Sequence, residues 1–182
     1  MKVVFLDRDG VINKYPGDND YVKSWKEFEF IPGSIEGLRK LCSYDFRLIV
    51  ISNQAGVGKR IFSKENLDII TKKMLSVLKK KDVYIDGVYY CTHRKEDNCF
   101  CRKPKIALLH RALSDLKIKP NISFFIGDSF VDMETARKFG AKTILLLSGK
   151  EKISNRPHWK FEPEYIFDNL LVASHYLCEH FG

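Results

Sequence analysis

The chain has 182 residues, of which 45% are hydrophobic and 30% are charged, and it carries a formal net charge of +8. This composition predicts one globular domain over residues 1–182 and excludes a disordered or low-complexity chain. No apolar stretch approaches the roughly 18 residues of a membrane-spanning helix, and no basic segment followed by an apolar one marks a signal peptide. We therefore expect a cytoplasmic protein, with a monomer as the default.

The positive charge fits three kinds of partner: nucleic acid, a membrane surface or a phosphorylated metabolite. The densest basic stretch, Lys72–Lys73 with Lys79–Lys81, lies on and just after a predicted helix. No aromatic residues are interleaved there to stack on bases, so a solvated helix face is the better interpretation. We expect a small phosphorylated metabolite as partner, and neither nucleic acid nor a membrane.

The first strand is the feature around which the rest of the chain is organised. Val3–Leu6 is an apolar run that predicts a strand buried on both faces, and it ends in Asp7, Asp9 and Gly10. Two carboxylates at the carboxyl end of a parallel strand are suitable ligands for Mg²⁺. A lone Asp-x-Asp-Gly is also compatible with a solvated turn. The residues at the ends of the other strands are needed to distinguish a metal site from such a turn.

Further strands and helices alternate along the chain. The apolar periodicity predicts strands over 47–51, 84–90, 122–126, 143–147 and 165–167, and helices from Ser34, from about Ser63, over 105–116, up to Gly140 and at the C-terminus. This alternation predicts an α/β fold with a doubly wound, mostly parallel sheet. Only one helix and one strand fit between Asn13 and Ser52, and again between Arg60 and Cys91, which leaves no room for an inserted cap domain.

Polar residues with complementary chemistry follow several of these strands. Asp7 and Asp9 follow the first strand, Ser52 follows the second, and Asp128 follows the fourth, while Lys103 precedes a helix. Carboxylates for a metal ion, together with a hydroxyl and an ammonium for phosphate oxygens, are the groups that phosphoryl transfer requires.

Four segments resemble, in order, the motifs of the haloacid dehalogenase (HAD) superfamily of phosphohydrolases. They are FLDRDGVIN, SNQAG, RKPK and GDSFVD. Each motif is weak alone, but four in order at strand ends are highly specific.

The resemblance implies a role for each matching residue. Asp7 would be the nucleophile that forms an aspartyl-phosphate, and Asp9 the general acid and then the base. Ser52 and Lys103 would bind the transferring phosphoryl group. Asp7, the backbone carbonyl of Asp9, and Asp128 would hold catalytic Mg²⁺. Asp132 either supports this metal site or faces solvent on the first turn of its helix.

A second cluster contains three of the five cysteines. Cys91, His93, Cys99 and Cys101 form two pairs that suit a closed, tetrahedral, structural Zn²⁺ site within a loop over 91–101. The alternative is a loop of reduced thiols. Cys42 and Cys178 stand alone in apolar segments and are expected to be buried packing residues.

The zinc loop joined directly to the RKP segment resembles the histidinol-phosphate and heptose-bisphosphate phosphatase group. Residues 20–22, 28–33 and 53–58 are similar to heptose 1,7-bisphosphate phosphatases, whereas the short loop between His93 and Cys99 is similar to the histidinol-phosphate branch. The expected reaction is removal of the 7-phosphate of D-glycero-D-manno-heptose 1,7-bisphosphate. The alternatives are a histidinol-phosphate phosphatase and a polynucleotide 3′-phosphatase.

Without a cap domain, short loops must recognise the substrate. We expect Asn53, Gln54, Lys59, Arg60 and Arg102 to bind it. Arg102, with Lys59 or Arg60, would pair with the second phosphate of a sugar bisphosphate.

Overall fold

The computed structural model describes residues 1–182, and its centre is a sheet of six parallel strands. These are β1 (Lys2–Leu6), β2 (Phe46–Asn53), β3 (Gly87–Cys91), β4 (Ile122–Gly127), β5 (Lys142–Leu146) and β6 (Tyr165–Phe167). The strand order is β3-β2-β1-β4-β5-β6, so β1 is central, with Leu6 opposite Val50 on one side and Ile126 on the other. The order reverses at β1, and ligands of open parallel sheets bind outside such a point.

Six α-helices cover both faces of the sheet. They are α1 (Ser34–Ser43), α2 (Ala55–Gly58), α3 (Lys64–Lys79), α4 (Ala107–Asp115), α5 (Phe130–Phe139) and α6 (Leu170–Phe181). Alternate residues of β1 enter two separate cores. Val4 and Leu6 pack in the core shared with α1, α3 and α6, whereas Val3 and Phe5 pack in the core shared with α4 and α5. The predicted doubly wound α/β fold is confirmed.

Local signals in the sequence account for several element ends. Ser63 caps α3, because its side chain accepts a hydrogen bond from the backbone N–H of Asn66 at 3.1 Å. Gly140 ends α5 with a φ of 83°, a left-handed conformation that glycine adopts without strain. The chain between β1 and α1 holds a loop with a single 3₁₀ turn at Trp25–Glu27, and no separate cap domain is inserted.

Most element ends lie within two residues of the predicted ones, but strand β3 starts three residues later and helix α2 was not predicted. Strand β3 begins at Gly87 and not at Tyr84. The backbone N–H of Asp86 still donates to Leu48 O at 2.8 Å, but the N–H of Leu48 donates to the Asp86 carboxylate at 2.7 Å and is not available to a longer strand. The same carboxylate accepts from Arg47 Nε at 2.6 Å. Helix α2 was not predicted, since its sequence, Ala-Gly-Val-Gly, has little helix propensity. None of the helices combines the length and the apolar character that a bilayer crossing requires.

Candidate active site

The turn after β1 is pressed against the end of β4. Asp7 still pairs by backbone, its N–H donating to Ile126 O at 3.0 Å, and Gly10 then turns the chain with a φ of 81°. A Cβ on Gly10 would lie 2.0 Å from Oδ2 of Asp128. Glycine at this position therefore allows the loop after β1 to approach the Asp128 carboxylate.

Three carboxylates meet at this edge of the sheet. One oxygen each from Asp7, Asp128 and Asp132 lies within 4.8 Å of the others. Burial raises the pKa of Asp7 to about 6 despite the opposing charge of Lys103, with the Asp132 charge acting in the same direction as burial. Burial, followed by the charges of Asp132 and Asp7, also raises the pKa of Asp128 well above its usual value. Oxygen ligands and unbalanced negative charge fit a hard divalent cation such as Mg²⁺.

Lys103 is the cation that this cluster already contains. Its buried ammonium contacts Asp132 Oδ1 at 2.6 Å and Asp7 Oδ2 at 3.0 Å, and donates to Ile51 O at 2.9 Å. Burial alone would lower the pKa of Lys103, but Asp132 and Asp7 outweigh it and raise the pKa above the ordinary value. The lysine is therefore a fixed positive charge beside the cluster.

Asp132 does not face solvent. It is fully buried, and besides Lys103 it accepts a hydrogen bond from the Ser129 hydroxyl at 2.6 Å. A Cβ on Gly127 would lie 2.2 Å from the Cβ of Asp132, so glycine at the end of β4 permits this placement. Of the two environments open from the sequence, Asp132 occupies the one beside the other carboxylates.

The Asp9 carboxylate lies outside this cluster and is surrounded by donors. Arg8 contacts Asp9 Oδ1 through Nε (3.1 Å) and Nη2 (2.8 Å), Asn13 Nδ2 donates to Oδ1 at 2.8 Å, and Gln54 Nε2 donates to Oδ2 at 2.8 Å. Arg8 is 0% exposed, between the rings of Phe28 and Tyr90. Sequence reasoning missed Arg8; the available signal was an arginine placed directly after a strand buried on both faces.

A cleft of about 750 Å³ opens over these groups. Of the residues expected to bind substrate, Asn53, Lys59 and Arg102 line it, together with Asp7, Asp9, Ser52, Lys103 and Asp128. Gln54 and Arg60 do not line the cleft, and Gln54 is 1% exposed beneath it. The Asn53 amide is engaged with the Lys103 backbone, accepting from its N–H at 3.1 Å and donating to its carbonyl at 3.2 Å.

One wall of the cleft is formed by two loops, one after β1 and one after β5. Asp18 accepts hydrogen bonds from the Tyr15 hydroxyl at 2.6 Å and from Lys150 Nζ at 2.8 Å. The backbone N–H of Lys150 donates to Asp128 Oδ2 at 2.7 Å. The loop after β1 is thereby tied to the loop after β5.

The Cys/His residues come together at the end of β3. The Sγ atoms of Cys91, Cys99 and Cys101 are 3.3 to 3.6 Å apart, and His93 Nδ1 lies 3.3 Å from Cys101 Sγ and 3.7 Å from Cys91 Sγ. Tetrahedral zinc with Zn–S bonds of about 2.3 Å places its sulfur ligands about 3.8 Å apart. The four side chains could therefore hold zinc with small adjustments.

The zinc loop contacts the loop after β2. The N–H of Gln54 donates to Cys91 O at 2.7 Å, and the N–H of Gly58 donates to Thr92 O at 3.0 Å. A Cβ on Gly58 would lie 2.5 Å from that Thr92 oxygen, so the close approach depends on glycine. Arg102 follows the cluster, and its guanidinium reaches His93 O at 3.3 Å.

Comparison with known proteins agrees with this geometry. The family model described as HAD-hydrolase-like matches residues 100–173. The D-glycero-beta-D-manno-heptose-1,7-bisphosphate 7-phosphatase of Neisseria meningitidis is 33% identical over 181 residues, which cover 98% of this chain and 96% of the relative. The protein of the same name from Pasteurella multocida is 39% identical over 158 residues, or 82% of this chain and 83% of its own.

A solved structure matches nearly the whole fold. It is the D,D-heptose 1,7-bisphosphate phosphatase of B. bronchiseptica, complexed with magnesium and phosphate, with a TM-score of 0.89 and 26% identity. The match covers 98% of this chain and 99% of that one. The chain is a phosphatase of the HAD superfamily and belongs to the family that contains the heptose 1,7-bisphosphate 7-phosphatases.

Proposed function

We propose that the protein is a Mg²⁺-dependent phosphomonoesterase that removes the 7-phosphate of D-glycero-D-manno-heptose 1,7-bisphosphate. The observation that carries the chemistry is the buried group of Asp7, Asp128 and Asp132 around Lys103, with Ser52 beside it at the floor of the cleft. The assignment of the substrate is supported by the names of the relatives that align with nearly the whole chain.

Asp7 is the proposed nucleophile. An oxygen of its carboxylate attacks the phosphorus of the 7-phosphate, and the bond to the sugar oxygen breaks, which leaves a phosphoryl group on Asp7. Asp9, whose side chain is 18% exposed in the cleft, gives its proton to the departing sugar oxygen. Asp9 then takes a proton from water, and the resulting hydroxide attacks the phosphorus and frees Asp7.

Lys103 and Ser52 hold the transferring group. The Lys103 ammonium lies 3.0 Å from Asp7 Oδ2, and the Ser52 hydroxyl belongs to the same cleft. Both groups supply donors for phosphoryl oxygens, which carry the charge of the transition state. Asp7, Asp128 and the backbone carbonyl of Asp9 would hold Mg²⁺, with Asp132 beside them. When bound, the ion would neutralise negative charge between the nucleophile and the phosphate.

The zinc site has a structural role in this proposal. Cys91, His93, Cys99 and Cys101 would fill a tetrahedral coordination shell and would leave no position open for a substrate or a water. Bound zinc would fix the loop that delivers Arg102 and Lys103 to the cleft. The clustered cysteines are free thiols, as is usual in a reducing compartment, which supports a cytoplasmic location.

The direct test is phosphate release in the presence of Mg²⁺ from three substrates: the heptose bisphosphate, histidinol phosphate and a 3′-phosphorylated oligonucleotide. We expect kcat/KM to be highest for the heptose bisphosphate, and Asp7→Asn to abolish release while preserving the fold. The matched control is Asp68→Asn, which changes an exposed carboxylate on α3.

Two outcomes would contradict the proposal in different ways. Preferential turnover of histidinol phosphate would show that the short loop between His93 and Cys99 predicts the substrate better than the loop after β2 does. Equal phosphate release by Asp7→Asn and wild type would rule out Asp7 as nucleophile.

A further inference from the structure

Gln54 was expected to contact substrate, yet it is buried and its amide is engaged on both sides. Its Oε1 faces Arg8 Nη2 at 3.3 Å, while its Nε2 faces Asp9 Oδ2 at 2.8 Å and Ser52 Oγ at 3.2 Å. The side chain therefore connects three residues of the site without meeting the cleft.

The chemistry of the neighbours fixes the direction of every hydrogen bond in this group. An arginine guanidinium can only donate, so the amide atom that faces Arg8 must be the oxygen. That assignment places Nε2, which donates, against Oδ2 of Asp9, an oxygen that also accepts from Arg8 Nη2 at 3.1 Å. If the amide were flipped, its nitrogen would face the Arg8 guanidinium, two donors would oppose each other, and the contact with Arg8 would be lost.

The fixed amide in turn orients the Ser52 hydroxyl. Since Gln54 Nε2 carries two hydrogens, it donates one to Asp9 and the other to Ser52 Oγ. The Ser52 hydroxyl oxygen accepts a hydrogen bond from Gln54, so the hydroxyl proton points away from Gln54. That proton is therefore free to point into the cleft, which Ser52 lines together with Asp7.

Arg8 is suited to hold this arrangement. It is fully buried, contacts Asp9 through two nitrogens and is flanked by the rings of Phe28 and Tyr90. The Tyr90 hydroxyl is itself bonded to Thr71 Oγ1 at 3.0 Å. A planar guanidinium confined in this way has little freedom to leave Gln54.

We propose that Gln54 is a positioning residue, oriented by Arg8, that directs the Ser52 hydroxyl proton toward the transferring phosphoryl group. The inference rests on the proposed function, in which Ser52 binds that group. A donor that is already aimed where charge develops needs no reorientation during the reaction, and this is the source of its effect on rate.

The test measures the burst of p-nitrophenolate release from p-nitrophenyl phosphate. That leaving group departs without a proton from Asp9, so the burst reports formation of the phosphoryl-enzyme and isolates the Ser52 contribution. Gln54→Met removes the donor and leaves the hydroxyl free to rotate, and we expect a loss of about 10-fold. Gln54→Glu would be kept ionised by Arg8 and would accept the Ser52 proton, so we expect a loss of about 100-fold.

Comparing the loss of burst rate in Gln54→Met with that in Gln54→Glu shows whether Gln54 positions Ser52 or only packs against its neighbours. Glutamate has nearly the same shape as glutamine, so a packing role would make Gln54→Glu the milder change. We expect the reverse, with KM for p-nitrophenyl phosphate nearly unchanged and the inhibition constant of orthovanadate raised in parallel with the loss of rate. Melting temperatures close to that of wild type show that both variants fold.

A double-mutant cycle completes the test. On a Ser52→Ala background, Gln54→Met should have less than about a 2-fold further effect, because the hydroxyl that it orients is gone. Fully multiplicative losses, or a Gln54→Glu variant as fast as wild type, would overturn the inference and leave the proposed function intact. A Ser52→Ala variant with the wild-type burst would overturn both the role of Ser52 and the inference.

Discussion

Asp7 is a carboxylate whose burial is unfavourable for folding while the metal is absent. Its pKa of about 6 in the folded protein exceeds the ordinary 3.8, so the folded state binds the extra proton between these pH values. Stability therefore falls as the pH rises from about 4 to about 6, and the full cost is present above pH 6.

We expect Asp7→Asn to stabilise the protein in Mg²⁺-free buffer at pH 7.5, by at most about 3 kcal/mol. Lys103 still has Asp132 as a partner in this variant, so its charge is not left unpaired. Urea denaturation at pH 7.5 and pH 4 measures the effect, and the difference from wild type should shrink at the lower pH. An Asp68→Asn control should show no such pH-dependent gain, and an Asp7→Asn variant less stable than wild type at pH 7.5 would contradict the prediction.

At the scale of elements, the zinc loop joins the end of β3 to Lys103, the residue proposed to bind phosphate. Cys91 is the last residue of β3, and the loop returns to the site where the Lys103 backbone pairs with the Asn53 amide. A displacement of about 1 Å at a catalytic group can cost about 100-fold in rate. Loss of the metal site should therefore reduce activity although none of the four Cys/His residues lines the cleft.

Cys99→Ser tests this connection. We expect zinc bound to the purified protein to fall from about one ion per chain to well below that, and kcat/KM to fall by at least about 10-fold. The far-ultraviolet circular dichroism should be retained, since the sheet and helices have their own cores. Cys42→Ser, half-buried and outside the cluster, is the matched control and should keep its zinc. Full activity in a zinc-free Cys99→Ser protein would refute the proposed role of the loop.

The sequence predicts the elements well where a local pattern determines them. The apolar run of β1 and the Ser63 cap are readable because each depends on neighbouring residues. The surroundings of Gln54 are not readable, since they depend on Arg8, which lies 46 residues away in the chain. For the same reason the sequence alone does not show whether Asp132 faces solvent or the other carboxylates. The side chain reaches Lys103 only because α5 packs against β4.

At the scale of the whole molecule, the absence of a cap domain leaves recognition to loops around an open cleft. The rim carries several cations, but Lys150 is already paired with Asp18. Arg102 reaches only a backbone oxygen, and Lys59 lies over the ring of Tyr21 at 5.6 Å, with no carboxylate partner for either. Lys95 also lines the cleft without a carboxylate partner, so Arg102, Lys59 and Lys95 are the cations best able to meet a second phosphate.

Arg102→Ala should distinguish bisphosphates from monophosphates. A hydrogen bond to a charged group contributes about 1.5 to 3 kcal/mol, so we expect kcat/KM for the heptose bisphosphate to fall by about 10- to 100-fold. The value for p-nitrophenyl phosphate, which has no second phosphate, should change by less than about 3-fold. Lys72→Ala removes one positive charge from α3, away from the cleft, and controls for the change in net charge. Equal losses on both substrates would mean that Arg102 acts on the reacting phosphate or on the zinc loop, and the assignment of the second-phosphate site to this residue would fail.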